Sequence, residues 1–219
     1  MTPFNKMYGT APVDLGLVDL SPVEMMFWQY LPIKLPGTYG ESMPANLEQF
    51  QPIVDEVFRD LQRIAGNISL WMDNYVYLTA KTLYVTPENP GNRPGWHSDG
   101  FMTSDLNYIW SDRNGTEFWL PPALVHFTQD HDTSLREMES IVNVDHIATY
   151  PDKHLLRLDE AVIHRVAPVI KPGFRSFVKI SVSSERYNLA GNSVNHAFDR
   201  WNYVPRREER NHPVAESKS

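Results

Sequence analysis

Pro172-Gly173-Phe174-Arg175-Ser176-Phe177-Val178-Lys179-Ile180-Ser181-Val182-Ser183 is a strand written in period two. Val178, Ile180 and Val182 form an apolar row, while Arg175, Phe177, Lys179 and Ser181 fall on the opposite face. A strand with one apolar face belongs to an antiparallel sheet backed by another layer. Pro172-Gly173 is a turn signal, which predicts a neighbouring strand immediately upstream. That strand is Ala161-Val162-Ile163-His164-Arg165-Val166, in which Val162, His164 and Val166 share a face and Arg165 points the other way.

The same texture extends backward. Residues 74–86 are rich in Tyr, Val, Thr and Leu and read as a long strand or a pair of strands. Further strands are expected at 107–110, 116–120, 124–128, 146–150 and 154–158, with Asp112-Arg113-Asn114-Gly115 as a turn between two of them. Residues 133–142 read as a short helix or an irregular connection. Two helices are expected earlier. Ser21-Pro22-Val23-Glu24 combines a capping box with proline at the first helical position, and Val23, Met26, Phe27 and Tyr30 follow at helical spacing until Pro32 and Pro36. Leu47, Phe50, Ile53, Val54, Val57, Phe58, Leu61 and Ile64 trace the apolar stripe of a second helix, stopped by Gly66-Asn67, with Pro52 as a kink or a start.

Helices followed by many short strands predict a mainly β domain, a sandwich or barrel with supporting helices. Residues 1–70 are its helical support, 71–186 its strand-rich core and 187–219 a polar C-terminal extension, read as a solvated terminus. The 6 Trp, 10 Tyr and 10 Phe exclude disorder for the bulk of the chain. A net charge of −7 supplies no overall basic field for a nucleic acid. Cysteine is absent, which excludes disulfides, thiolate metal sites and a cysteine nucleophile and suits a reducing compartment. The first residues lack the apolar run of a signal peptide, and no stretch approaches the roughly 18 apolar residues of a membrane span. The expected setting is cytoplasmic.

Eight histidines invite a search for metal spacing. His97-Ser98-Asp99 lies in Pro94-Gly95-Trp96-His97-Ser98-Asp99-Gly100-Phe101, after a strand and the loop 87–95. A His and an Asp two apart on an extended segment project to one side, so both can hold one ion. His164 is the best third ligand. Two imidazoles and one carboxylate leave coordination positions open, as in the non-haem Fe(II) oxygenases. Zinc hydrolases favour helical His-Glu-x-x-His, which is missing. Arg175, returned by the Pro172-Gly173 turn, offers a fork for the carboxylate of a substrate or cosubstrate. Lys179 shares its inward parity. His126, His131, His146, His154, His196 and His212 show no such arrangement, and Trp96, Phe101, Tyr108, Trp110, Phe118 and Trp119 read mostly as core, the remainder as pocket lining.

In this order these residues resemble the 2-oxoglutarate/Fe(II)-dependent dioxygenases, whose pattern is His-x-Asp, a distal His and then an Arg. The resemblance covers residues 74–184. It includes His164-Arg165-Val166-Ala167-Pro168, together with Ile109-Trp110-Ser111-Asp112 and Gly115-Thr116-Glu117-Phe118. It implies a double-stranded β-helix (jelly roll, cupin-like), with His97, Asp99 and His164 holding Fe(II). It also implies that Arg175 binds the far carboxylate of 2-oxoglutarate and that Tyr84 bonds the same cosubstrate. The implied reaction uses O2, hydroxylates a C–H bond and releases succinate and CO2. One departure stands out: many members place a serine two positions after the arginine, where this chain has Phe177, its serine being Ser176.

Two other functions remain open. One is a metal-binding cupin-like protein of different chemistry, in which Arg175 would have no obvious role. The other is a non-catalytic jelly-roll binding module, which would not be expected to keep all three ligands. A small polar molecule is the expected substrate, met by the N-terminal helices, the loop 87–95 and residues 127–145.

Overall fold

The computed structural model describes residues 6–169 and 171–198, with Trp201 and Tyr203. Residues 1–5, the mixed-charge stretch 206–210 and His212 lie outside the described residues. Among the described residues nine strands form two antiparallel sheets. The larger contains β1 (Val13–Leu17), β2 (Met26–Lys34), β3 (Tyr75–Val85), β4 (Leu106–Ser111), β7 (His154–Leu158) and β9 (Gly173–Ser183), in the order β1-β7-β4-β9-β3-β2. The smaller contains β5 (Thr116–Trp119), β6 (Ile147–Thr149) and β8 (His164–Val166), in the order β6-β5-β8. From β4 onward the chain passes from large sheet to small and back, so Ile109, Leu156, Leu158 and Phe177 of one meet Phe118 of the other.

Strand β9 has both edges bonded. It pairs with β3 from Tyr75↔Ser183 to Val85↔Gly173, and with β4 from Leu106↔Val182 to Ser111↔Phe177. Its apolar row, Val178, Ile180 and Val182, joins Val76, Leu78 and Ala80 of β3 beneath a helical layer. That layer is a 3-10 turn (Ala45–Phe50), α1 (Gln51–Ala65) and α2 (Ser69–Asp73). Pro52 sits in the first turn of α1, where its missing N–H is harmless, and Gly66 ends the helix with φ 68°. Ile53, Val57 and Leu61 are fully buried. Each contributes about 1.5–3 kcal/mol, so packing rather than propensity holds the helix. Among the described residues no helix is long and apolar enough to cross a membrane.

Several expectations are corrected. The first helix is strand β2, paired with β3 from Met26↔Thr82 to Lys34↔Val76. A register shift between Trp28 and Leu31, with Tyr30 at φ 47°, resets the alternation. Met26 and Trp28 before it and Leu31 and Ile33 after it therefore face one core, whereas Val23 and Phe27 of the expected helical stripe are exposed. Pro32 is tolerated because β2 is the last strand of its sheet. Residues 124–128 form no strand, and Val125 makes only a single bridge with Tyr8. Residues 133–142 correspond to helix α3 (His131–Ile141), capped by Asp130. The turns at 112–115 and at Pro172-Gly173 join strands of opposite sheets, so β8 and β9 are not neighbours.

Asp60 of α1 ties the helical layer to the sheet. It is 3% exposed and accepts hydrogen bonds from Tyr108 Oη at 2.9 Å and Arg157 Nη1 at 2.7 Å. Asp60→Ala strands both partners under the helix and is expected to lower unfolding free energy by about 2–4 kcal/mol in urea titrations. A loss below about 0.5 kcal/mol, the range of ordinary surface changes, would show that this carboxylate does not fasten the layers.

Candidate metal centre

The ligand candidates arrive from two places. His97 and Asp99 lie on the connection between β3 and β4, and His164 opens β8. A two-bond bridge pins them together. His97 N–H donates to His164 O at 3.0 Å, and His164 N–H donates to His97 O at 2.9 Å. The chain then turns at Gly100, φ 74°, where an added Cβ would lie 2.9 Å from Thr103 Oγ1 and 3.1 Å from Asp105 Cβ. Only glycine fits there.

A ring nitrogen of His97, one of His164 and a carboxylate oxygen of Asp99 lie within 4.8 Å of one another. Each imidazole is oriented from behind. His97 Nδ1 is 2.9 Å from Gly95 O, and His164 Nδ1 is 3.2 Å from Val162 O. A carbonyl only accepts, so both Nδ1 atoms carry the proton and both Nε2 atoms keep a lone pair. This is the backing that a metal-ligating imidazole needs. Two neutral imidazoles and a carboxylate suit a divalent first-row ion.

Electrostatics favour the neutral form of His97 and the ionised form of Asp99. Burial lowers the His97 pKa to about 4, and His164 beside it acts in the same direction. Burial alone would raise Asp99, but the Lys179 ammonium and His164 hold its carboxyl well below the usual range. Lys179 Nζ lies 3.1 Å from Asp99 Oδ2 and 3.1 Å from Tyr30 Oη. Burial opposes its charge, yet Asp99 more than offsets that and moves its pKa upward.

The three ligands border an open cavity of about 1060 Å³. Its floor includes Thr79 and Lys81 of β3 and Phe177 and Lys179 of β9, and its rim includes Tyr30, Arg93, the start of α3 and residues 185–189. Arg175 shares the inward face of β9 but does not reach this wall. It is 3% exposed, and its Nε donates to the carbonyls of Arg113 and Asn114 at 3.1 and 3.0 Å. Its Nη2 is buried with no hydrogen-bond partner among the described residues. Burial lowers this guanidinium to about 10, against the pull of Asp112 and Asp152.

Tyr84 is not brought to the cavity. It stands opposite Phe174 on the helix-facing side of β3, 54% exposed, with its ring edge-on to Phe174 at 5.4 Å. Strand parity decides this, because the residues of β3 that turn inward are Tyr77, Thr79, Lys81 and Leu83. Lys81 was missed by the sequence reading. Its Nζ touches Gly91 O and Asn92 Oδ1 at 3.3 and 3.2 Å, and among the described residues it pairs with no carboxylate. Burial lowers its pKa to about 8, with Lys179 and Arg175 acting in the same direction.

The segment after β9 was also missed. Tyr187 stacks on Tyr77 at 4.3 Å and donates from its hydroxyl to Asp105. Ser193 N–H donates to Gln29 O at 2.7 Å, and Asn195 Nδ2 donates to Pro32 O and Ser42 O, each at 2.8 Å. Residues 187–195 are thus a strap along the edge of β2 rather than a solvated tail. Trp96, Tyr108, Trp110, Phe118 and Trp119 are core as expected, and Phe101 lines the cavity. Arg165 points away from the cavity to Glu117 at 2.7 Å.

No family model matches the chain, and no curated protein matches it. Among solved structures it is similar to EvdO2 from Micromonospora carbonacea var. aurantiaca, at 16% identity over 63% of this chain and 64% of that one, with a TM-score of 0.39. The match spans less than two thirds of EvdO2, and at this TM-score it carries no argument about fold or chemistry.

The depressed His97 pKa sets a pH dependence. Between its ordinary value of 6.5 and about 4, the unfolded chain takes up a proton that the folded protein refuses. The stability that this accounts for is complete above 6.5 and falls away as pH drops toward 4. Asp99 adds a loss in the same direction in the carboxylate range. Urea midpoints of the metal-free protein should decline over this window. The decline should be shallower in His97→Gln, and an equal slope in the variant would remove His97 as its source.

Proposed function

We propose that the chain is a non-haem Fe(II) and 2-oxoglutarate-dependent oxygenase that hydroxylates a C–H bond of a small polar substrate, with release of succinate and CO2. The observation that carries this reading is the convergence of His97, Asp99 and His164 within 4.8 Å, with both Nδ1 atoms held on carbonyls. The fold reading is a double-stranded β-helix (jelly roll). It is supported by the alternation of β4 to β9 between two sheets and by the His97–His164 bridge, which stands where a fourth strand would flank β8.

The residues present fit both groups. The ligand set is hard, open on the cavity side and free of thiols. Lys81, on the cavity floor and without a carboxylate partner among the described residues, offers positive charge to an anionic cosubstrate, while Arg175, at the next inward position of β9 before Phe177, keeps a buried, unpartnered Nη2 but does not line the cavity. When bound, Fe(II) and 2-oxoglutarate supply the activation of O2. The chain's own residues orient and enclose. His97, Asp99 and His164 would hold the ion, Lys81 would draw a carboxylate inward with Arg175 adding positive charge from outside the wall, and Phe177, Ile109 and Val166 line the cavity with apolar surface. Ser176 is not available as a second contact to the cosubstrate, since its Oγ is bonded to Thr82 Oγ1 at 3.0 Å on the helix side of β9. A net charge of −7 favours a small molecule over a nucleic acid as partner, and the cysteine-free chain suits the cytoplasm.

Anaerobic addition of Fe(II) and 2-oxoglutarate is expected to produce the visible charge-transfer band of the chelate, and Asp99→Ala to abolish both the band and succinate formation. A protein that binds Fe(II) without the band would instead be a metal protein of other chemistry. Lys81→Ala should weaken 2-oxoglutarate on the order of 100-fold, since a desolvated charge partner is lost, and Arg175→Ala should weaken it to a smaller extent. An unchanged affinity in the Arg175 variant would assign that role to Lys81 alone.

A further inference from the structure

We infer that Lys179 acts with opposite sign on the two occupants of the site, weakening the hold on a bare divalent ion and strengthening the hold on a dianion beside it. The inference rests on the metal-centre reading above and deepens it. Lys179 rises from β9, a strand bonded on both edges, and is 8% exposed. Its ammonium lies 3.1 Å from Asp99 Oδ2, and that same oxygen is 3.7 Å from His164 Nε2. An ion seated on the histidines and the lysine therefore draw on one carboxylate.

Tyr30 braces the ammonium beside Asp99. Tyr30 Oη meets it at 3.1 Å, and its distance to the Tyr30 ring centroid is 4.9 Å. Tyr30 is itself fixed. Its φ is 47°, its N–H donates to Thr79 Oγ1 at 3.0 Å, and its ring meets Tyr187 edge-on at 5.3 Å. A non-glycine residue in the left-handed region persists only where its surroundings over-determine it.

The consequence follows from the charges. Two neutral imidazoles contribute none, so a divalent ion, the Asp99 carboxylate and the Lys179 ammonium leave two positive charges in excess. In a site drier than bulk water this repulsion acts against the ion alone. A dianionic ligand cancels the excess, and the lysine that repels the ion attracts the dianion. The ion and the dianion attract each other directly, and the lysine adds to this a contribution that opposes the first and favours the second. A lysine that served only to hold the shape of the site would, on removal, weaken both.

Zn(II) and oxalate test this without turnover. Zn(II) affinity would be measured on the metal-free protein by competition with a chromogenic chelator, and oxalate and 2-oxoglutarate affinities on the Zn(II)-loaded protein by calorimetry. Lys179→Met is expected to bind Zn(II) on the order of tenfold more tightly and the dianions on the order of tenfold more weakly. Lys179→Arg, which keeps the charge, should retain the wild-type pattern. Should methionine prevent folding, as judged by circular dichroism, Lys179→Gln is expected to show the same split. If the two affinities shift together, or neither shifts, in a folded charge-free variant, the inference is overturned. If the wild-type protein binds no Zn(II), it is the metal-centre reading that fails.

Discussion

Strand β9 cannot change one of its faces without changing the other. Bonded to β3 along its whole length and to β4 over Leu106–Ser111, it has no freedom to slide. Its two rows do opposite jobs. Val178, Ile180 and Val182 complete the core beneath α1, while Arg175, Phe177, Lys179 and Ser181 face the small sheet. A slip of one residue would place two cations under the helices and turn the valines toward the ligand cavity. The packing that holds the domain together is therefore also what aims its charged groups, and β3 follows the same parity, with Ala80 on the core side and Lys81 on the cavity side.

Against that rigid floor, the metal ligands are held by few contacts. The His97–His164 bridge supplies two backbone hydrogen bonds where a full strand would supply more. Neighbouring layers compensate. Trp96, Trp119, Met138 and Ile163 pack into one cluster around the ligand segment, and Glu139 of α3 accepts the Trp96 N–H at 3.0 Å. The carbonyls of Gly95 and Val162 each lie two residues before the histidine they orient, so the ligand tautomers are set locally by the backbone. The arrangement depends on the long-range bridge for position and on short-range bonds for orientation.

What was legible in the sequence divides along the same line. Period two placed His97 and Asp99 together, set His164 inward and Arg165 outward, and gave Arg175 and Lys179 a common face. All of these follow from strand geometry alone. The sheet to which each strand belongs is written in no single turn, so Pro172-Gly173 and residues 112–115 looked like hairpins although each crosses between sheets. Tyr84 was assigned by analogy across a loop, and parity puts it on the wrong side of β3. At Tyr30 a bulge breaks the alternation of β2, so no unbroken period-two run stands against the helical spacing of Val23, Met26, Phe27 and Tyr30. The strap at 187–195 was invisible because side-chain-to-backbone bonds from Asn195, Ser193 and Tyr187 leave no periodic trace.

The irregular parts are also those that shape the cavity. β2 is an edge strand, and an uncovered edge invites pairing with another chain. The strap covers it through Ser193 and Asn195 while Tyr187 leans on Tyr30, and Tyr30 on Lys179. A chain of contacts thus runs from the outer wall of the cavity to the carboxylate of Asp99. Side chains facing the cavity at Phe101 and Met102, at the Tyr30 bulge and on the strap can change without disturbing the β9 ladder, because none of them belongs to its two rows. Substrate choice can then vary on this wall while the ligand geometry below stays fixed. Tyr30 is the exception, since it faces the cavity and also braces the ammonium beside Asp99, so a change there alters both wall and centre.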